Sequence, residues 1–212
     1  MQSTIRVAIN GFGRIGRAFL KIAWERPEIE IVAINDLGSL ESLAYLLKHD
    51  TVYRTWAHDV KIGTNSLIID GKEVKVLAVK DPATLPWNDM RIDVVVESTG
   101  LFTTYDKAEM HVHAGARKVV ISAPAKPGED VSVLGETILL GVNEEKFGTC
   151  AVTSNASCTT NAASPLIAIL HETIGIEKAI LNTVHGYTAS QALVDGPSKK
   201  DLREGRAAAQ NI

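Results

Sequence analysis

Cysteine is scarce in this chain. Only Cys150 and Cys158 occur in 212 residues, too few for a disulfide framework. A reducing cytoplasm is therefore the expected compartment, where a free thiol is available for chemistry. An excess of charge of one sign is also missing. The formal net charge is -3, which gives no electrostatic footprint for nucleic acid or an anionic membrane. No apolar run approaches the roughly 20 residues of a membrane span, and the segment 1–6 has no signal-peptide core. There is no internal repeat and no low-complexity linker. What remains is ordinary globular composition, 45% hydrophobic and 22% charged. The length fits one large domain or two small ones.

Buried strands and amphipathic helices alternate along the chain. Ile5 to Asn10 is short, apolar and β-branched, and glycines follow at once, so it reads as a buried parallel strand. From Arg14 to Trp24, apolar residues at Ile15, Ala18, Phe19, Ile22 and Ala23 recur at helical spacing. Pro27 stops that helix, and Ile29 to Ile34 is a second strand. A helix is expected over Leu40–Leu47, with Ser39 as its cap. Asp70-Gly71 predicts a hairpin turn between Leu67–Ile69 and Val74–Val79. Val94–Val96, a helix Tyr105–Ala114 and Val119–Ile121 continue the alternation, and Ala125–Gly128 reads as a turn. This order predicts an α/β fold: a Rossmann-like, doubly wound, mostly parallel sheet covered on both faces.

The character changes after about residue 150. A polar run, Thr153 to Asn161, is expected to open a helix over Thr159–Thr173, kinked at Pro165 and ended by Gly175. Ala179–Val184 reads as a strand. Residues 186–210 read as a polar loop ending in an alanine-rich helical stretch. One helix and one strand cannot bury a core, so the second domain is expected to be incomplete. The expected division is residues 1–157 for a dinucleotide-binding domain and 158–212 for the beginning of an α+β catalytic domain.

Gly11-Phe12-Gly13-Arg14-Ile15-Gly16 fits G-x-G-x-x-G in the context that pattern requires, with a strand before it and a helix after it. The first glycine makes the tight turn, the second admits a pyrophosphate, and the third lets helix and strand pack closely. Asp36, twenty residues after Gly16, stands where a carboxylate accepts hydrogen bonds from a ribose diol and repels a 2′-phosphate. NAD is therefore expected over NADP.

Cys158 precedes the helix expected from Thr159, where unpaired N–H groups and the helix dipole favour a thiolate. Small polar neighbours surround it. Cys150 has a blander setting and reads as packing. His185, beside Gly186 at the end of an expected strand, is the candidate base of a Cys–His pair. His49, His58, His111, His113 and His171 read as solvent-exposed. No zinc cluster and no other metal site is expected.

Six segments carry a family resemblance: Gly-Phe-Gly-Arg-Ile-Gly-Arg (11–17), Asn-Asp-Leu (35–37), Glu-Ser-Thr-Gly (97–100), Ile-Ser-Ala-Pro (121–124), Ser-Asn-Ala-Ser-Cys-Thr-Thr-Asn (154–161) and Thr-Val-His-Gly-Tyr-Thr (183–188). Together they resemble the phosphorylating glyceraldehyde-3-phosphate dehydrogenase family, type I. The resemblance implies NAD-dependent oxidative phosphorylation of glyceraldehyde 3-phosphate to 1,3-bisphosphoglycerate, a step of glycolysis and gluconeogenesis. It implies Cys158 as nucleophile and His185 as base. Ser157, Thr159 and Thr188 match positions that contact substrate or inorganic phosphate. Phe12, Arg14, Ile15, Asp36, Lys80, Thr99 and Ser122 match positions that line the NAD site. The loop 186–206 resembles the family's S-loop, which packs between subunits of a homotetramer. The resemblance also implies a chain truncated at its C-terminus. Two alternatives stay open: an NAD-binding piece without turnover, and erythrose-4-phosphate dehydrogenase.

Overall fold

The computed structural model describes residues 4–130, 132–198 and 201–210. It divides into two compact units, Met1–Ala168 and Ile169–Ile212. The first unit is an α/β fold. Its strands are β1 (Ile5–Asn10), β2 (Ile29–Asn35), β3 (His49–Asp50), β4 (Arg54–Thr55), β5 (Val60–Gly63), β6 (Ser66–Ile69), β7 (Lys72–Leu77), β8 (Val94–Glu97), β9 (Lys118–Ile121), β10 (Gly135–Thr137) and β11 (Val152–Ser154). Its helices are α1 (Arg14–Ala23), α2 (Leu40–Lys48), α3 (Tyr105–His113) and α4 (Cys158–Thr173), the last crossing into the second unit. Nine strands form one sheet in the order β10-β11-β9-β8-β1-β2-β7-β6-β5. From β10 to β7 every pairing is parallel, and β6 and β5 extend the sheet in antiparallel pairs.

Alternation along the strands divides the core. Val7 and Ile9 pack with Leu20 of α1 and Leu43 and Leu47 of α2 on one face. Ala8, Ala33 and Val95 pack with Trp87 and Ile92 on the other, and Val119, Ile121 and Val152 pack beneath Tyr105 and Ala108 of α3. Helices on both faces are the physical reason these strands are apolar on both sides. The hairpin turn forms as expected: Asp70 (φ 48°) and Gly71 (φ 80°) both adopt the left-handed conformation of a primed turn. Ser39 caps α2 by accepting the Ser42 N–H at 3.3 Å.

Several local expectations are corrected. The polar run does not begin as a helix approach: Val152–Ser154 is a buried strand, paired on both sides by β9 and β10. Ala125–Gly128 is extended rather than a turn, because Lys126 bridges Thr104 at the start of α3. His111 is 0% exposed, not solvated. It follows Tyr105 and Ala108 at intervals of three, and those three residues form the inward face of α3. His58 is only partly exposed. Its Nδ1 meets Asp70 Oδ2 at 2.5 Å and its Nε2 meets Glu25 Oε1 at 2.6 Å.

In the second unit, Ala179–Val184 is not a strand. Residues 178–188 form neither helix nor strand, with Ile180 99% exposed. A strand is stabilised by a neighbour, and no described strand pairs with this segment. His185 consequently lies in irregular chain. Gly175 (φ 78°) ends α4 as expected, its N–H reaching the Leu170 carbonyl at 3.1 Å. The alanine-rich end forms only 3-10 turns, Leu202–Gly205 and Ala208–Gln210. They fold back on the preceding loop through Ala192 N–H to Glu204 O and Gly196 N–H to Gly205 O. Of the loop 186–206, Lys199 and Lys200 lie outside the described residues.

The His58 cluster ties the hairpin turn to the end of α1 and has a pH signature. Its hydrogen bond to Asp70, and then that to Glu25, raises the imidazole above its ordinary value of 6.5. A raised folded-state value stabilises the fold when the ring is protonated. That contribution is complete below about 6.5 and is lost as pH rises through the folded value. The urea midpoint is expected to fall between pH 6 and pH 8.5, and the fall is expected to shrink in His58→Gln. Equal slopes in both proteins would remove the ring as the cause.

Candidate active site

The ends of the parallel strands build the carboxyl edge of the sheet in the first unit. β1 runs into the glycine turn. Gly11 has φ 90°, and a Cβ there would sit 2.6 Å from the Thr99 backbone nitrogen. Gly13 meets nothing within 4 Å of a Cβ position, so the chain leaves open space there. A Cβ on Gly16 would lie 2.2 Å from the Gly11 carbonyl oxygen. The three glycines thus serve a left-handed turn, an open approach and a close packing. Gly13 caps α1 without a side-chain hydrogen bond, and no acidic residue occupies the first turn. The outward N–H groups suit an anion.

β2 ends beside Asp36. Its Oδ2 accepts the Phe12 N–H at 2.6 Å and its Oδ1 accepts the Gly38 N–H at 2.8 Å. Each oxygen is therefore fixed in direction and keeps capacity for a further donor. β8 ends at Glu97 and hands over to Ser98 and Thr99. Ser98 Oγ donates to the Gly11 carbonyl at 2.6 Å, bracing the glycine turn.

These ends enclose a cleft of about 490 Å³. Of the residues expected at a cofactor, Gly11, Gly13, Asp36, Lys80 and Thr99 line it, together with Asn10, Asn35, Val79 and Ser98. Phe12, Arg14, Ile15, Gly16 and Ser122 are not among the lining residues. Phe12 is 1% exposed and belongs to the core. Arg14 pairs with Asp50 Oδ2 at 2.6 Å and covers the ring of Tyr53. Ile15 is exposed at the start of α1. Ser122 Oγ donates to the Glu97 carbonyl at 3.1 Å. Asn10 and Asn35 line the cleft and Glu97 is buried at the end of β8, though none of the three is singled out as a site residue by the sequence. Their signal was present: a polar residue closing a fully apolar strand run.

The thiol turn follows β11 on the same edge. Ser154 Oγ donates to the Ala123 carbonyl at 2.7 Å and accepts the Ala156 N–H at 2.9 Å, while Asn155 N–H reaches the Ile121 carbonyl. Ala156 takes a left-handed φ of 59°. Ser157 caps α4 by accepting the Thr160 N–H at 3.0 Å. Asn161 Nδ2 donates to the carbonyls of Asn155 and Ser157 at 2.7 and 2.9 Å. This clamp fixes Cys158, exposed, as the first residue of α4. Ser157 and Thr159 are half-buried beside it. Cys150 is half-buried, its thiol donating to the Val152 carbonyl at 3.1 Å.

In the second unit, His185 Nδ1 donates to the Gly186 carbonyl at 2.6 Å. Thr188 Oγ1 lies 3.1 Å from Ser190 Oγ, and its N–H reaches Gln191 Oε1 at 2.9 Å. Among the described residues no group of three or more His, Cys, Asp or Glu could hold a metal ion. No helix among them is long and apolar enough to cross a membrane.

Residues 5–105 match the family described as "Glyceraldehyde 3-phosphate dehydrogenase, NAD binding domain", and residues 157–212 match "Glyceraldehyde 3-phosphate dehydrogenase, C-terminal domain". The chain is similar to glyceraldehyde-3-phosphate dehydrogenase of Thermotoga maritima, 52% identical over 98% of this chain and 61% of that protein. It is 48% identical to that of Geobacillus stearothermophilus, and 48% identical to the cytosolic enzyme of Trypanosoma brucei brucei, with the same two coverages in each case. The chain thus spans about 61% of the length of these relatives.

Proposed function

Because the chain belongs to the glyceraldehyde-3-phosphate dehydrogenase family, we propose that it serves the NAD-dependent oxidation of glyceraldehyde 3-phosphate, with inorganic phosphate as co-substrate, to 1,3-bisphosphoglycerate. The observation that carries this reading is the shared carboxyl edge. A glycine-turn cleft fitted for a dinucleotide and an exposed, clamped cysteine lie at carboxyl ends of strands of one sheet, β9 standing between β11 and β8.

The residues present fit NAD. Asp36 offers two oriented carboxylate oxygens to the adenine ribose, Gly13 leaves room for a pyrophosphate beside uncapped N–H groups, and Lys80 and Thr99 line the cleft. Bound there, NAD supplies a hydride acceptor.

Cys158 Sγ attacks the aldehyde carbon, and the carbonyl oxygen gains a proton to give a thiohemiacetal. By the family pattern His185 would take the hydroxyl proton, and loss of the C–H hydrogen as hydride to bound NAD would leave a thioester on Cys158. A phosphate oxygen then displaces the thiolate, giving the acyl phosphate and regenerating Cys158. Ser157, Thr159 and Thr188 would donate hydroxyls to the phosphate groups. The assignment of these roles rests on the match of residues 154–161 and 183–188 to the family pattern. The compartment proposed is the cytoplasm, and the assembly a homotetramer through the loop 186–206.

The test is NADH formation from glyceraldehyde 3-phosphate, NAD and inorganic phosphate, alongside titrations with NAD and NADP. Phosphate-dependent NADH release is expected. NAD is expected to bind at least tenfold more tightly than NADP, with the preference reduced in Asp36→Ala. NAD binding without turnover would limit the chain to a binding role. Oxidation of erythrose 4-phosphate in preference would move the substrate, and equal affinity for the two dinucleotides would refute the part given to Asp36.

A further inference from the structure

Glu97 closes the apolar run of β8 and is 1% exposed. Four donors converge on its carboxylate. Oε1 accepts the Thr99 N–H at 2.8 Å and the Thr99 hydroxyl at 2.5 Å. Oε2 accepts Asn10 Nδ2 at 2.6 Å and His111 Nε2 at 3.1 Å. The four acceptor positions of a carboxylate are thereby filled.

The tautomer of His111 follows from its other neighbour. Trp87 Nε1 lies 3.0 Å from His111 Nδ1, and an indole N–H can only donate. Nδ1 is the acceptor, so the ring proton is on Nε2, facing Glu97. The network continues away from Glu97 through Asn10. Its Oδ1 accepts Asn35 Nδ2 at 2.7 Å, and the Asn35 amide exchanges two hydrogen bonds with the Val79 backbone, each 2.9 Å. Asn35 is locked in one orientation by a backbone donor and a backbone acceptor. Asn10 is locked by Asn35, and Glu97 sits between Asn10 and His111.

Asn10, Asn35, Val79 and Thr99 all line the cleft. We propose that Glu97 is the positioning residue of the cofactor cleft: a buried acceptor, held between Asn10 and the Trp87–His111 pair, that sets the Thr99 segment and the Asn10 amide against the dinucleotide. This rests on the NAD reading above. Glu97 works by accepting only. A replacement of equal size that brings its own N–H turns a donor onto a donor on either side: the Thr99 hydroxyl can rotate to accept, but the Thr99 backbone N–H cannot, and on the other side the Asn10 amide is locked by Asn35. The imidazole could accept there through its other tautomer, and Trp87 prevents it.

That restriction supplies the test. In Glu97→Gln, the amide has two acceptor positions for four donors, and its N–H faces either Thr99 or the Asn10–His111 pair. The dissociation constant for NAD is expected to rise about 10- to 100-fold, with the thermal midpoint showing that the protein is folded. Trp87→Phe frees His111 Nδ1 to carry the proton, so Nε2 can accept from the new amide. The double variant is expected to regain at least threefold in NAD affinity over Glu97→Gln, although Trp87→Phe alone gains nothing. Nitrogen-15 NMR of the histidine rings is expected to show His111 protonated on Nε2 in the wild type and on Nδ1 in the double variant.

A folded Glu97→Gln that binds NAD within twofold of wild type would overturn the positioning role. So would a wild-type His111 protonated on Nδ1, a measurement that needs no variant to fold. Affinity losses that simply add in the double variant would reduce the network to packing. Wild-type protein that binds no NAD overturns the cofactor reading itself, a result separate from these.

Discussion

Replacing Cys158 with alanine is expected to lower phosphate-dependent NADH formation at least 10⁴-fold, about 5.5 kcal/mol of transition-state stabilisation, while NAD affinity changes less than twofold. The separation follows from the local geometry. The α4 cap is made by Ser157 and the clamp by Asn161, and neither uses the sulfur to hold the turn. The cleft is lined by the ends of β1 and β2 and by the segments that follow β1, β2, β7 and β8, and Cys158 is not among its lining residues. The variant therefore removes the proposed nucleophile and leaves the proposed dinucleotide cleft. Retention of more than about 1% of wild-type turnover would remove Cys158 from the chemistry. A parallel loss of NAD binding would show instead that the thiol turn supports the cleft.

Gly11→Ala is expected to weaken both folding and cofactor binding. The left-handed φ of 90° costs an alanine about 1–2 kcal/mol. Its Cβ would also press to 2.6–2.8 Å on the backbone of Ser98 and Thr99. Those are main-chain atoms of the segment that continues β8, not the end of a flexible side chain. Relief requires β1 and β8 to separate, at a further cost of about 1–3 kcal/mol. The total, about 2–5 kcal/mol, is a large fraction of the 5–15 kcal/mol typical of a domain. The urea midpoint is expected to drop accordingly, and any folded fraction is expected to bind NAD at least tenfold more weakly, because Thr99 is displaced. Gly13→Ala is the control: its Cβ meets nothing within 4 Å of the protein, so it should fold normally and lose affinity only through contact with the dinucleotide. Wild-type stability in Gly11→Ala would refute the close approach.

What could be read from residues alone was local. The β1–glycine turn–α1–β2 unit depends on neighbours in sequence, and the chain carries it as written: a β-branched run, three glycines, helical spacing and Pro27. The hairpin at Asp70-Gly71 is local in the same sense. β10 and β11 were not legible, since each has three residues: β11 exists only because β9 offers an edge, and β10 only because β11 extends it. The reverse error occurred at Ala179–Val184, where β-branched composition suggested a strand but no partner is present among the described residues. His111 was misread because α3 is weakly amphipathic by composition, and only the packing of Tyr105 and Ala108 reveals its inward face. The site follows the same division. The glycines, Asp36 and Cys158 declare themselves by motif. The buried carboxylate and its donors come from segments far apart, and their relation is a property of sheet order.

That distance has a kinetic meaning. Glu97 is 87 residues from Asn10 along the chain, and His111 is 101. A ribosome adding about 5–20 residues per second would release Asn10 roughly 4–17 s before Glu97. During that interval the glycine turn and its helix could form, but β1 would have no β8 beside it and Asn10 no acceptor for its amide. The nascent chain would pass through this stage with the Rossmann fingerprint fully translated and the floor of the cleft still missing.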